Sequence, residues 1–133
     1  NWQGPSPTRI VIDPKNELTE TLHLFDGTQA TIIFTNSPKK NRKNITYYNF
    51  DLKEPIKAIL NQLHKLKMQS LLVEGGTQTI KKFLDLNLWD EARVFTCPQN
   101  FFNGIRAPKI ETLPHQQIQV SNDILTTYYN EHN

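Results

Sequence analysis

The chain has 133 residues, of which 37% are hydrophobic and 21% charged. That is one domain's worth of ordinary globular material, too rich in Ile, Leu and Phe for a disordered segment. Fifteen Lys and Arg against thirteen Asp and Glu leave a net charge of +2, which gives no case for a nucleic-acid partner. The single cysteine, Cys97, excludes an intrachain disulfide and a multi-cysteine zinc site. No apolar run approaches the roughly 20 residues of a membrane span, and no basic-then-apolar leader opens the chain. A cytoplasmic protein is expected, with neither membrane nor nucleic acid as partner.

Asn1 to Pro7, without an initiator Met and with Pro5 and Pro7, reads as a connector from the middle of a longer protein. Arg9-Ile10-Val11-Ile12-Asp13 is an apolar β-branched run closed by Pro14. Its lack of alternation predicts a short strand covered on both faces. Leu22–Phe25 forms a small strand or a helical turn before the Asp26-Gly27 turn. Ala30–Thr35 is a second buried strand, Asn36–Asn44 a polar connector, and Ile45–Phe50 a third strand nearer an edge.

Pro55 starts a helix where its missing donor costs nothing. Ile56, Ile59, Leu63 and Leu66 keep helical spacing, so the helix runs over 55–67. Ser70–Glu74 reads as a fourth strand, followed by Gly75-Gly76 and a helix over 77–86 with Ile80, Phe83 and Leu84 as its apolar stripe and Asn87 at its end. Ala92–Thr96 is a fifth strand, and Gln99–Pro108 a loop carrying Phe101, Phe102 and Ile105. Gln116–Val120 and Ile124–Tyr129, joined by Ser121-Asn122-Asp123, have the look of an antiparallel hairpin. The alternation of strands and helices over 45–96 implies parallel neighbours and right-handed crossovers. The expected fold is α/β, with three layers, a mixed and mostly parallel sheet, and a C-terminal antiparallel hairpin in a single domain.

The sharpest local feature is Leu72-Val73-Glu74-Gly75-Gly76-Thr77-Gln78-Thr79. A strand running through two glycines into a helix lets a ligand approach the backbone and offers free amides to a phosphate. Thr77 and Thr79 could add hydroxyls. The full Gly-x-Gly-x-x-Gly and Gly-Lys-Ser/Thr patterns are missing, so a simple tight turn stands equally beside the nucleotide site. Glu74 sits where ligands bind in open α/β sheets, at a strand's carboxyl end; a solvated carboxylate is the bland alternative. Asp13 either faces the same crevice or caps the next turn.

Elsewhere the signals are weaker. His23, His64, His115 and His132 form no metal-ligand spacing, and His64 is expected to face solvent. Cys97 is expected to be a buried, inert thiol. Lys39, Lys40, Arg42 and Lys43 read as a solvated loop rather than an anion site. No nucleophile–base arrangement can be assembled, and no catalytic residue is assigned. Cofactor-borne chemistry needs few such groups.

These residues resemble a known family, the carboxyl-terminal reductase domain of the bifunctional riboflavin-biosynthesis deaminase/reductase. The resemblance is carried by Gly4–Asp13, by Leu72–Gly76 with Thr77–Leu84, by Leu88-Trp89-Asp90-Glu91-Ala92, and by Asn103-Gly104-Ile105 with Ala107-Pro108. It implies a dihydrofolate-reductase-like fold and reduction of 5-amino-6-(5-phosphoribosylamino)uracil by NADPH, the ribose being opened to a ribityl chain. It implies that Glu74 contacts the pyrimidine substrate. It also implies that Gly76, Thr77, Gln78, Thr79, Ile80, Lys81 and Lys82 hold the cofactor phosphates. Pro14 occupies a cofactor-contacting position and, lacking a side-chain donor, would act through shape or its carbonyl. The family's reductase domain begins upstream of this sequence and is fused to a zinc deaminase domain. The chain therefore resembles a partial reductase domain, active in the longer protein and weak or inactive alone. Among cations for the substrate phosphate, Arg106 is a better candidate than Arg9, which leads into a buried strand.

Other readings stay open: a related reductase with another pyrimidine or pterin substrate, a non-catalytic nucleotide-binding or regulatory module, or a structural α/β domain. Exposed sheet edges and the Tyr128-Tyr129 tail suggest a homodimer.

Overall fold

The computed structural model describes residues 3–4, 6–50, 53–100 and 102–131. Asn1, Trp2, Pro5, Phe101 and His132, which entered the sequence reading, lie outside the described residues. The chain divides into two units, Asn1–Gln69 and Ser70–Asn133.

In the first unit, β1 (Arg9–Ile12), β2 (Thr31–Phe34) and β3 (Ile45–Tyr48) form a parallel sheet with β2 in the centre. Ile12, Phe34 and Tyr48 stand side by side across it. Every residue of β2 is buried, as its unbroken apolar run requires of a strand covered on both faces. On one face Ile32 and Phe34 pack with Phe50 and with Ile59 and Leu63 of α1 (Pro55–Lys65). The Phe50 ring meets Phe34 edge-on at 6.2 Å. On the other face Ile33, Ile45 and Tyr47 pack with Val11 and with Phe25 from a short 3-10 turn at His23–Phe25.

Helix α1 starts at Pro55 and buries Ile56, Ile59 and Leu63, one stripe at helical spacing. It stops two residues before the expected Lys67. There the chain turns left-handed at Lys67 (φ 63°), whose amide donates to His64 O, while the Met68 amide donates to Leu63 O. Met68 folds back on the same apolar cluster as Leu63. This pair of bonds satisfies the last carbonyls, and the apolar contact locks the turn.

In the second unit, α2 (Thr77–Asp85) is followed by β4 (Glu91–Thr96), β5 (Gln116–Val120) and β6 (Asp123–Tyr129). The strands pair antiparallel in the order β4-β6-β5. α2 ends as α1 does, with Asn87 left-handed (φ 54°) and the Leu88 amide on Phe83 O. The expected stop at Asn87 is met. The hairpin turns at Ser121 (φ 55°) and Asn122. Asn130 closes the sheet, its amide side chain donating to Trp89 O and Asn87 Oδ1, both at 2.8 Å.

The α/β class, the parallel strands and the antiparallel hairpin are as the sequence indicates. Three details differ. Ser70–Glu74 forms no strand. It reads as one because its side chains are apolar, but a strand also needs a ladder, and this segment has none. Leu72 is consequently 81% exposed. The parallel neighbours expected over 45–96 are found instead in β1-β2-β3, and β4 pairs only antiparallel. Cys97 is exposed rather than buried, because it follows the open end of β4, where Phe95 and Thr96 are also exposed. His64 faces solvent as expected.

Candidate functional site

The start of α2 is shaped by two glycines with different reasons to be glycine. At Gly75 an added Cβ would come within 3.1 Å of Thr79 Cβ, so a side chain there would press on the first helical turn and Thr79 would have to give way by a few tenths of an ångström. At Gly76 an added Cβ would meet nothing within 4 Å, and its φ of −57° suits any residue. Neither packing nor backbone conformation calls for glycine there. What a side chain at 76 would fill is open space beside the first helical turn.

Gly76 is the N-cap of α2, and its carbonyl accepts from the Thr79 and Ile80 amides at 2.9 and 3.2 Å. The Thr77 and Gln78 amides lie ahead of these first bonds and have no carbonyl within the helix to reach. They point along the positive end of the helix dipole, where an anion is favoured. No side chain caps this end and no acidic residue sits in the first turn. The donor set therefore fits a phosphate group.

The rest of the implied stretch is less uniform. Thr77 Oγ1 donates to Arg106 O at 3.4 Å, so its hydroxyl ties the 102–108 loop to the helix start. Thr79 uses its Cβ and methyl group against Gly75. Gln78 is exposed, Ile80 half-buried. The Lys81 ammonium is held by both oxygens of Asp85 at 2.8 Å, one helical turn on. Lys82 is exposed further along the helix. Glu74 is exposed two residues before the N-cap, and Arg106 is exposed in the loop that Thr77 holds. Neither has an ion-pair partner among the described residues. The Thr77–Arg106 contact spans 29 positions, and no local signal in the sequence announces it.

In the first unit, Asp13 proves to be a turn cap. It is 7% exposed, and its carboxylate accepts from the Glu17 and Leu18 amides at 3.0 and 3.1 Å. Pro14 is exposed, but its carbonyl already accepts from the Asn36 amide at 3.1 Å. What it can still offer a ligand is mainly the shape of its ring. Arg9 is occupied by His23 O and Asp26. The basic run is partly neutralised: Lys39 and Arg42 both face Glu20, and Arg42 lies over the Phe25 ring. Arg42, by hydrogen bond and by charge, with help from Lys39, holds the Glu20 carboxyl below its ordinary value. A groove of about 290 Å³ lies at the opposite, amino ends of the parallel strands, lined by Thr8, Asn44, Thr46, Tyr48, Leu66 and Met68. It has no charged group. Among the described residues no three potential ligands cluster for a metal, and no helix is long and apolar enough to cross a membrane.

Comparison with known proteins gives this geometry a setting. The family described as the RibD C-terminal domain matches residues 2–107. The riboflavin biosynthesis protein RibD of Aquifex aeolicus is 28% identical over 108 residues, 74% of this chain and 29% of that protein. The 2,5-diamino-6-ribosylamino-4(3H)-pyrimidinone 5′-phosphate reductase of Archaeoglobus fulgidus is 25% identical over 114 residues, 80% of this chain and 51% of that one. Among solved structures, a diaminohydroxyphosphoribosylaminopyrimidine deaminase/5-amino-6-(5-phosphoribosylamino)uracil reductase of Thermotoga maritima superposes with a TM-score of 0.76 at 22% identity, over 96% of this chain and 39% of that one. The chain thus spans between about a third and a half of the curated relatives it matches.

Proposed function

Since the chain belongs to the RibD C-terminal domain family, within the dihydrofolate-reductase-like superfamily, we propose that it is the reductase part of an NADPH-dependent pyrimidine reductase in riboflavin biosynthesis. Its substrate in this reading is 5-amino-6-(5-phosphoribosylamino)uracil, reduced to the ribitylamino form. The observation that carries the reading is Gly76, a glycine that neither packing nor backbone requires, standing open beside two free amides. A dinucleotide phosphate explains both features together.

NADPH, when bound, supplies the hydride. The chain's own residues bind and orient. Gly76 and the amides of Thr77 and Gln78 take a cofactor phosphate, and Thr79 to Lys82 continue the helix that carries the dipole. Pro14 contacts the cofactor through shape. Glu74 accepts hydrogen bonds from the pyrimidine. Arg106, held at the helix start through its own carbonyl, offers a guanidinium to the substrate phosphate. No residue is assigned as proton donor. The longer protein, with a fused deaminase domain and in the cytoplasm, performs the reaction, and these 133 residues alone are weak or inactive because hydride transfer tolerates little misplacement.

One relative favours a second reading. The Archaeoglobus reductase acts, by its name, on a 2,5-diamino-pyrimidinone phosphate. Its identity is close to that of the Aquifex RibD, so the alternative substrate is a 2,5-diamino-pyrimidinone with the same ribosylamino phosphate.

Fluorescence titration with NADPH tests the site. Gly76→Val is expected to weaken binding about tenfold or more, by filling the approach space, with no loss of folding. Equal affinity removes Gly76 from the site. NADPH oxidation with each pyrimidine, in these 133 residues and in a longer polypeptide extended upstream, tests the reaction. Activity in the longer protein only supports the partial-domain reading, equal activity in both refutes it, and inactivity in both refutes the reductase assignment.

A further inference from the structure

We infer that Asn103-Gly104 is a site of spontaneous covalent modification, where the asparagine amide is lost and a carboxylate forms three residues from Arg106. The modification stands apart from the reductase reading. Only its consequence for ligand binding rests on that reading.

The chemistry needs a backbone amide nitrogen that is free to act as nucleophile on the asparagine side chain before it. Most asparagines lack one. The amides that follow Asn36, Asn41, Asn44 and Asn87 donate to Thr35 Oγ1, Ile45 O, Arg42 O and Phe83 O, and the amide after Asn61 lies inside α1. Asn103-Gly104 is the one Asn-Gly pair in the sequence. Neither the Gly104 amide nor the Asn103 side chain has a hydrogen-bond partner among the described residues. A Cβ at Gly104 would meet nothing within 4 Å, and its φ is not left-handed, so neither packing nor backbone conformation calls for glycine. What the missing Cβ leaves is room for the Gly104 nitrogen to swing onto Asn103. Neighbouring side chains do not restrain that motion: Phe102 is 99% and Ile105 88% exposed. Among the described residues, 102–108 are joined to the rest of the unit by a single hydrogen bond, from Thr77 Oγ1 to Arg106 O.

The Gly104 amide gives its proton to hydroxide or buffer base, and its nitrogen bonds to Asn103 Cγ. The Cγ–Nδ2 bond breaks and ammonia leaves. Water then opens the cyclic imide at either carbonyl. One product is aspartate; the other is isoaspartate, with the chain continued through Cγ. Ammonia is exchanged for water and no electrons are transferred. Because the nucleophile is the deprotonated amide, the rate rises with pH. The loop gains one negative charge. Three residues reach at most about 11 Å, close to the screening length at physiological salt, so the new carboxylate is felt at Arg106. Arg106 is tied to the start of α2, where the phosphate is proposed to bind, and an added anion there opposes an anionic ligand.

Peptide mapping by mass spectrometry, on the 133-residue chain incubated at mildly alkaline pH, tests this without any substitution. The peptide holding Asn103 should gain the mass difference between water and ammonia about tenfold faster than any other asparagine peptide, since glycine reaches the ring-closing conformation that a Cβ hinders. The gain should speed up as the pH is raised. Gly104→Val, at a position with open space, should slow it about tenfold, and Asn103→Gln should slow it as well, because its longer side chain closes a larger ring. Circular dichroism checks that both variants remain folded. No gain at Asn103, a faster gain at another asparagine, or a folded Gly104→Val chain that changes as fast as wild type overturns the proposal. Asn103→Asp supplies the aspartate product directly. It should weaken NADPH binding about twofold to threefold at low salt, with the loss disappearing at high salt. Unchanged affinity overturns the consequence for binding. A wild type that binds no NADPH overturns the phosphate reading instead, and the mass gain still decides the modification.

Discussion

Nine of the ten buried hydrophobic side chains among the described residues lie in the first unit, and Phe83 alone lies in the second. The contrast is one of cover, not of composition. β2 is flanked by strands on both sides and roofed by α1 on one face and Phe25 on the other. The second unit's sheet has Ala92, Val94, Thr126 and Tyr128 on its less exposed face and leaves Phe95, Ile118, Val120 and Tyr129 open on the other. Buried apolar side chains are thus concentrated in the first unit, while the candidate site and the open surfaces belong to the unit that has fewer of them. Sites that bind are commonly built where local stability is lower.

The largest expected effect tests that contrast directly. Phe34 is fully buried against Tyr48 and Phe50. Phe34→Ala should cost about 4 kcal/mol in urea unfolding. A loss as small as about 1 kcal/mol would mean that the first unit is not the stable one.

Phe83→Ala is the corresponding change in the second unit. Phe83 is 8% exposed, and its removal should cost about 3 kcal/mol, with hydrogen exchange accelerated in α2 and β4–β6 but not in β1–β3. Acceleration in both sheets would show that the units unfold together.

Asp13→Ala removes the acceptor for two backbone amides and should cost about 2 kcal/mol in urea unfolding. A loss below about 0.5 kcal/mol would show that these two bonds do not hold the turn.

Leu72→Gln should change stability by less than about 0.5 kcal/mol, as expected of a surface position. A marked loss would show that Leu72 is covered in solution.

The smallest effect concerns acid. Asp26 is held below its ordinary value first by the Thr28 hydroxyl and amide and then by Arg9, as Glu20 is by Arg42. A lowered folded-state value stabilises the fold above the ordinary carboxylate range, and that contribution is lost as the pH falls through the lowered values. The thermal midpoint should therefore drop on acidification through that window, and Glu20→Gln with Asp26→Asn should slightly flatten the drop. An unchanged slope would show that these exposed pairs contribute nothing.

Much of this protein was legible because local chemistry acts locally. Pro55 with Ile56, Ile59 and Leu63 is a helix in any context that offers an apolar surface. Asn87 stops α2 because asparagine tolerates the left-handed turn its carbonyls need. The unbroken run Thr31-Ile32-Ile33-Phe34 reports cover on both faces. In the site, the helix start after Gly75-Gly76 was likewise visible, but the strand expected before the two glycines does not form.

Tertiary structure decided what depends on partners distant in the chain. Leu71-Leu72-Val73 and Ile10-Val11-Ile12 have similar side chains, yet only the latter gains a ladder, from Thr31–Phe34. Cys97 had the same apolar neighbours in either environment, and only the open end of β4 exposes it. Which glycine packs and which stands open, and that Thr77 holds the carbonyl of Arg106, depend on contacts that side-chain periodicity does not encode. The sequence by itself determined the two helices, the stop of α2 at Asn87 and the buried strand Thr31–Phe34, since propensity, capping and apolar patterning act within a few residues. Pairing, exposure and the free face of the site were settled only by the fold, because hydrogen-bond ladders and burial are made with residues far away along the chain.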